Sequence, residues 1–380
     1  MELVQATDAF TIHGHPYPGF PILLYDTMES CAEANEFMRY YLLRGSIGSK
    51  RSWASTARAM YDFFGFLSSH DFQWNQVFHG QDYSLVAAYR DYCLDTVKLH
   101  RSTVRQRLLY ICEFYEYALK QRWIDRLPFS YEQRALRRHS TFLAHVNASG
   151  GKIMVRDVYP RAHGKLPNFL TKDQIKLLIS ASSNPHHRLM IRLALQTGLR
   201  REEIATFPTA YVFDPDRKRT DAINVRVRLD PFDGYGMRTK GSRTREIFIS
   251  RRLMRDLHYY VVHVRGHRAA LNERRPPQLF LNQRGEAFAS DGKGIERIVR
   301  RIGDRAGVKV HPHMLRHTYA THTLHAMQRA GVGIDPLIFV QRQLGHASIQ
   351  TTMVYLHLLH ERADDAVLAY DDELNEWARS

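Results

Sequence analysis

Between residues 31 and 121 the hydrophobic positions recur every three or four residues, the period of helices with one buried face. The pattern predicts helices near residues 31–43, 52–69, 84–99 and 103–121. In the last of these, Val104, Leu108, Ile111, Tyr115 and Ala118 share a face. Ser102 is the expected cap, and Trp123-Ile124 followed by Leu127-Pro128 closes the helix. Trp53, Tyr61, Phe63, Phe64 and Phe66 crowd the second helix and read mostly as core. Residues 1–28 keep no period and read as a short extension that packs on the helical block or frays. Residues 131–166 keep none either; Gly150-Gly151, Tyr159-Pro160 and Gly164 mark them as a linker.

A second pattern starts at Pro167. Thr171-Lys172-Asp173-Gln174 is a capping box, and Ile175, Leu178 and Ile179 follow on one helix face. Another helix, about residues 187–197, ends at Gly198. Ile223, Val225, Val227 and Leu229 then alternate with Asn224, Arg226 and Arg228, a strand with one wet, basic face. Lys240-Gly241-Ser242 lies between residues 237–239 and 245–249, which puts Lys240 near a hairpin tip. A helix is expected over 294–306. Asp335-Pro336 starts one that Gly345 stops, and a further helix from near Ser348 carries Tyr355. The chain therefore reads as mainly α, with a small β-hairpin in its C-terminal part. The expected domains are an extension (1–28), a helical domain (29–130), a linker (131–166) and an α+β domain with a tail helix (167–380).

Charge changes this picture more than composition does. Of 380 residues, 44% are hydrophobic and 24% charged, an ordinary globular balance with no apolar run of membrane-spanning length. The N-terminus lacks the basic-then-apolar pattern of a secretory signal, so the cytoplasm is the expected location. Cys31, Cys93 and Cys112 are odd in number and far apart, which suits buried reduced thiols and no zinc site. The net charge of +15 points to a polyanionic partner. Its distribution is uneven: residues 131–165 carry seven Lys/Arg against two acids, whereas residues 360–380 carry seven acids against two bases. The linker is thus expected along a nucleic-acid backbone and the tail against protein. Arg51, Arg58, Arg101, Arg105, Arg134, Arg137, Arg138 and Arg243 are candidate backbone contacts; a merely solvated face explains the helical ones equally well.

The second pattern also carries Arg200, Lys240, His313, Arg316, His346 and Tyr355. Metal-free phosphoryl transfer needs such a set. Paired guanidiniums suit the charge that builds on the non-bridging oxygens of a pentacoordinate phosphorus. A phenol is a weak nucleophile at its usual pKa of about 10 and needs a base or cations beside it. A histidine can accept its proton, and a lysine can return one to the leaving oxygen. Each residue alone has an ordinary explanation, as core, surface or ion-pair partner; their joint order and spacing favour the chemical one.

Four separated motifs carry a resemblance. They are Thr197-Gly198-Leu199-Arg200 with Glu203, Thr239-Lys240-Gly241, Pro312-His313-Met314-Leu315-Arg316-His317-Thr318-Tyr319, and Leu344-Gly345-His346 with Thr352 and Tyr355. From about 167 to 357 the chain resembles the tyrosine recombinases of the phage-integrase type, and residues 30–128 more weakly resemble their helical core-binding domain. The resemblance implies two domains in a C-shaped clamp on double-stranded DNA. It implies that Tyr355 attacks a phosphate to give a 3′-phosphotyrosine, with Arg200 and Arg316 on the non-bridging oxygens. Lys240 would protonate the leaving 5′-oxygen, His313 serve as acid/base, His346 bond the phosphate and Glu203 buttress the site. No cofactor, metal or ATP is implied. The implied partners are recombination sites, further copies of the chain in a tetrameric synapse joined by the C-terminal helix, and accessory DNA-bending proteins; on DNA the enzyme would lie in the nucleoid.

Three other readings compete with this one. His313 and His317 have the i,i+4 spacing of metal ligands, but Arg316 lies between them and no acid or cysteine is near in sequence to complete a site. A catalytically silent DNA-binding protein is disfavoured because all six positions are filled. A type IB topoisomerase shares the chemistry but not the separate helical domain and tail.

Overall fold

A computed structural model describes residues 1–44, 50–79, 83–135, 152–161, 167–217, 223–330 and 333–360. The chain divides into two compact units, Met1–Gly164 and Lys165–Ser380.

The first unit starts with strands rather than a loose extension. β1 (Glu2–Gln5) pairs antiparallel with β4 (Pro21–Leu24), and a small ribbon of β2 (Thr11–Ile12) and β3 (His15–Pro16) lies between them in sequence. Phe20 and Leu23 are buried in the helical core. The Asn35 amide fixes the strand by accepting from Leu23 N and donating to Leu23 O, both at 2.8 Å. So residues 1–28 pack, and their period was hidden because the strands are short.

The helices follow as α1 (Ala32–Leu43), α2 (Arg51–Ser69), α3 (Leu85–Asp91) and α4 (Arg101–Lys120), with β5 (Phe78–His79) and β6 (Tyr83–Ser84) paired before α3. Trp53, Phe63, Phe64 and Phe66 are core, whereas Tyr61 is 36% exposed. The cap of α4 is His100, not Ser102: the imidazole accepts from Ser102 N, and the helix begins at Arg101. The ends of the expected linker are ordered too. β7 (Tyr131–Ala135) pairs with β8 (Lys152–Arg156), because buried Arg156 reaches Glu113 at 2.8 Å and Glu116 at 2.5 Å on α4. Arg137 and Arg138 lie outside the described residues.

In the second unit, α5 (Lys172–Ser180) opens with the expected capping box: Thr171 Oγ1 accepts from Gln174 N and Gln174 Oε1 from Thr171 N. α6 (Pro185–Thr197) is capped by Asn184 and ends at Gly198, followed by α7 (Arg201–Thr206). β9 (Asn224–Leu229) pairs antiparallel with β10 (Arg245–Ser250). The partner of β10 is thus β9 and not residues 237–239, which belong to the connection that carries Lys240. Val227, Leu229, Ile247 and Ile249 are buried. On the wet face Arg226 pairs with Glu246 at 3.6 Å and Arg228 with Asp230 at 3.0 Å.

A helical run unread in the sequence comes next, α8 (Arg251–Tyr259) and α9 (Arg265–Ala269), joined by a wider π turn at Tyr260–Val264. Then come α10 (Lys293–Arg305), α11 (Pro312–Ala330), α12 (Pro336–Leu344) and α13 (Gln350–His360). Tyr319, Ala320, Leu324, Val340, Leu344 and Tyr355 form a small core where α11, α12 and α13 meet, and this core backs the site. The acidic tail, residues 361–380, lies outside the described residues. Among those described, no helix is long and apolar enough to cross a membrane.

Candidate active site

Arg316, near the start of α11, is 1% exposed. Its two terminal nitrogens donate to Gly198 O at 2.7 Å, the residue that caps the end of α6, and to Leu344 O at 2.6 Å, the last residue of α12. A guanidinium is thereby fixed by helix-end carbonyls, which carry partial negative charge. The close approach depends on Gly198, whose φ is +64°. A Cβ there would lie 2.6 Å from both Leu344 and Tyr319.

Beside it lies a cluster around Glu203, a carboxylate 1% exposed. Glu203 accepts from Arg200 N at 2.8 Å and Arg200 Nη1 at 3.0 Å. Arg245 adds a fork–fork pair at 2.6 and 2.7 Å. Burial works to raise the carboxyl, but hydrogen bonds and charge from Arg245, then the charges of Arg200 and Arg316, hold it at about 2. Gly345, φ +66°, leaves the space: a Cβ would meet Arg245 Cδ at 2.7 Å. Arg200 also reaches Gly345 O at 3.4 Å. Three guanidiniums around one carboxylate leave a net positive cradle.

Tyr355, on α13, is 2% exposed. Burial pushes its phenol up, opposed by the charges of Arg316 and Arg200. Its hydroxyl is 2.9 Å from His317 Nδ1. His346 lies alongside, its ring 6.3 Å from that of Tyr355 and its Nδ1 2.9 Å from Thr352 Oγ1. His313 packs edge-on to His317, 4.4 Å between ring centres, its ring partly shielded there while the rest of the side chain stays open to solvent. The imidazoles are kept neutral. His313 is held at about 4 by desolvation and then by the charges of Arg316, His311, Arg200 and Lys240. His346 falls to about 3 through desolvation, Arg316 and Arg200. Lys240 sits exposed on a turn over Lys240–Ser242, near enough for its charge to act on His313.

The structure therefore gathers Arg200, Glu203, Arg316, His313, His346 and Tyr355, with Lys240 at the edge. It adds two residues that the motifs did not single out, Arg245 and His317. Arg245 stands at an inward strand position, two before Ile247, and an arginine on a buried face signals a buried anion. His317 directly follows Arg316, and its spacing from His313 suggests only a metal ligand until the fold brings Tyr355 against it. Among the described residues no group of three His, Cys, Asp or Glu side chains is placed to hold a metal ion. Of the candidate backbone contacts, Arg58, Arg101 and Arg243 are exposed. Arg105 is partly occupied, lying 4.8 Å over the Tyr159 ring. Arg51 and Arg134 are placed at the start of α2 and within β7 by their backbones.

The profile described as the phage integrase family matches residues 168–362. The chain belongs to that family, the tyrosine recombinases. A tyrosine recombinase of Thermosipho africanus is 30% identical over 219 residues, 56% of this chain and 65% of that enzyme, just under two thirds of its length. Tyrosine recombinase XerC of Halalkalibacterium halodurans is 26% identical over 70% of this chain and 74% of its own. Among solved structures the fold is shared with XerH recombinase in a post-cleavage complex with its difH substrate, at TM-score 0.57 and 18% identity, over 90% of this chain and 88% of that one. It is also shared with the Tn1549 transposon integrase in complex with a circular intermediate DNA, at TM-score 0.56 and 17% identity, over 85% and 94%.

Proposed function

We propose that this chain cleaves and rejoins duplex DNA at specific sites through a covalent 3′-phosphotyrosine on Tyr355. The observation that carries the reading is the buried cradle of Arg200, Arg245 and Arg316 around Glu203, with surplus positive charge beside a phenol. A phosphodiester seated there brings the missing negative charge. Tyr355 Oη attacks phosphorus and the bond to the 5′-oxygen breaks. The phenol proton passes to His313, the least depressed of the three site imidazoles, His346 bonds the phosphate, and Lys240 protonates the 5′-oxygen. Arg200 and Arg316 stabilise the oxygens whose charge grows in the transition state, which is where preorganised donors act most strongly. Reversal by a second 5′-hydroxyl rejoins the strand, so the energy of the bond is kept and ATP is not needed. The first unit supplies further DNA contacts, and the charge of +15 supports a polyanionic partner.

The reaction on two sites requires several copies. We assign their contact to the acidic tail, where Val367, Tyr370, Leu374 and Trp377 fall at helical spacing. A groove of about 490 Å³ on the second unit has apolar walls from Ile175, Ile179, Leu195 and Ala326 and basic residues Lys172 and Arg329, which suits that segment from a neighbouring copy.

The test uses nicked duplexes cut from the DNA that flanks the coding sequence. The wild-type chain should form a covalent adduct in EDTA, and Tyr355→Phe should bind but form none. An undiminished adduct in that variant, or cleavage that chelation abolishes and Mg²⁺ restores, refutes the mechanism.

A further inference from the structure

The nucleophile's hydroxyl is held by a residue that the reaction as written does not use. His317 Nδ1 lies 2.9 Å from Tyr355 Oη, and the two rings are 5.7 Å apart, tilted by 54°. His317 sits on α11 directly after Arg316, whereas Tyr355 comes from α13. The other imidazoles are engaged differently: His346 bonds Thr352, and His313 packs against the His317 ring. A neutral imidazole with its proton on Nε2 accepts at Nδ1, so the phenol can donate its proton there.

We propose that His317 is a positioning residue that parks the Tyr355 hydroxyl against α11 until DNA is seated, and that cleavage requires the phenol to exchange this bond for the phosphate. The proposal rests on the reading of Tyr355 as nucleophile. Two observations favour parking over proton abstraction. First, Tyr355 is 2% exposed, so its oxygen must turn or move outward before a duplex phosphate can meet it. A bond that holds the buried rotamer opposes that movement. Second, His317 is a poor proton acceptor. Desolvation, then His313, Arg316 and His311, push it down to about 3. It can accept a hydrogen bond but resists the positive charge a general base must take.

The bond also keeps a buried hydroxyl satisfied. Without its acceptor the phenol is left unpaired inside a small apolar core, and the alternative, turning toward solvent or phosphate, becomes favoured. Losing one such bond changes a population or a rate by roughly tenfold. The parked state suits an enzyme whose nucleophile should stay silent on unpaired or incorrect DNA.

The test compares His317→Phe, which keeps the ring but has no acceptor, with His317→Asn, whose amide oxygen can stand near the Nδ1 position. One readout is single-turnover adduct formation on the nicked flanking duplex. The other is nitration of Tyr355 by tetranitromethane in DNA-free protein, mapped by mass spectrometry. His317→Phe should raise both about tenfold, and His317→Asn should return both to the wild-type level. If the phenylalanine variant loses its folded circular dichroism, His317→Leu takes its place. Unchanged nitration and cleavage overturn the proposal. So does slower cleavage, which would make His317 a group the reaction needs. Tyr355→Phe in the His317→Phe background separates the two readings, since an adduct there refutes the nucleophile rather than its parking.

Discussion

Replacing Glu203 by glutamine keeps the shape of the side chain and removes the charge that three guanidiniums share. In the native site the carboxylate accepts from Arg200 and takes a two-bond fork from Arg245. Its hold on protons is weakened from the ordinary 4.5 to about 2. At about 1.4 kcal/mol for each tenfold change in proton affinity, that is worth about 3 kcal/mol of stability. Removing one partner of a buried pair typically costs about 3–5 kcal/mol, because the other charge stays behind. Glu203 is 1% exposed, so solvent screening takes little of this away.

The pH dependence follows in sign. A carboxylate whose folded pKa lies below its unfolded one stabilises the fold fully above about 4.5 and loses that contribution as pH falls toward about 2. Glu203→Gln should therefore unfold about 3 kcal/mol more easily at pH 7, and the gap should shrink below pH 4.5. In a unit of this size the melting temperature should fall by roughly 6–12 °C. Tryptophan fluorescence is the wrong probe, since three of the four tryptophans, Trp53, Trp74 and Trp123, lie in the first unit and the fourth, Trp377, in the acidic tail. Hydrogen exchange at α7 and β10 reports the right one. A deficit below about 1 kcal/mol at pH 7, or one that stays constant down to pH 3, would refute the electrostatic account.

Gly198→Ala should cost about 2–4 kcal/mol, from a left-handed backbone and a Cβ driven into Tyr319 and Leu344, and a urea-unfolding free energy within about 1 kcal/mol of wild type would contradict the packing described. Deleting residues 361–380 should spare single-site DNA binding yet abolish the tetramer on DNA, as judged by light scattering. Tetramers that persist in that variant would place the contact elsewhere.

Local signals in the sequence were strong where one residue type can do the job. The capping box at Thr171, the stop at Gly198 and the Asp335-Pro336 start are each visible, because each satisfies helix-end groups within a few residues. His100 as a cap was not visible, since imidazole is an uncommon acceptor there and Ser102 offered a more usual one. Strand pairing was harder. Residues 237–239 stand close to 245–249 in sequence, but β9 supplies the alternating apolar face that β10 needs. The run over α8 and α9 escaped notice because the π turn at Tyr260–Val264 adds a residue and shifts the helical period midway.

The site divides along the same line. Arg200, Arg316, His346 and Tyr355, which the motifs record in order and spacing, do lie together in the fold, so their neighbourhood was legible in the chain alone. Residues that serve those side chains are legible only by their surroundings. Arg245 makes sense once Glu203 is known to be buried, for a carboxylate in contact with Arg200 alone would carry much of its desolvation uncompensated. His317 shows its role only when α13 brings Tyr355 against α11, 38 residues apart in sequence. The same packing explains why the histidines are neutral at rest. A cradle with more guanidiniums than carboxylates repels further protons, and burial adds to that repulsion. A phosphodiester reverses part of the first effect by bringing negative charge. On the proposed mechanism it is His313, the least depressed of the three, that would gain the phenol proton once a phosphodiester is seated, while His317 keeps only its hydrogen bond.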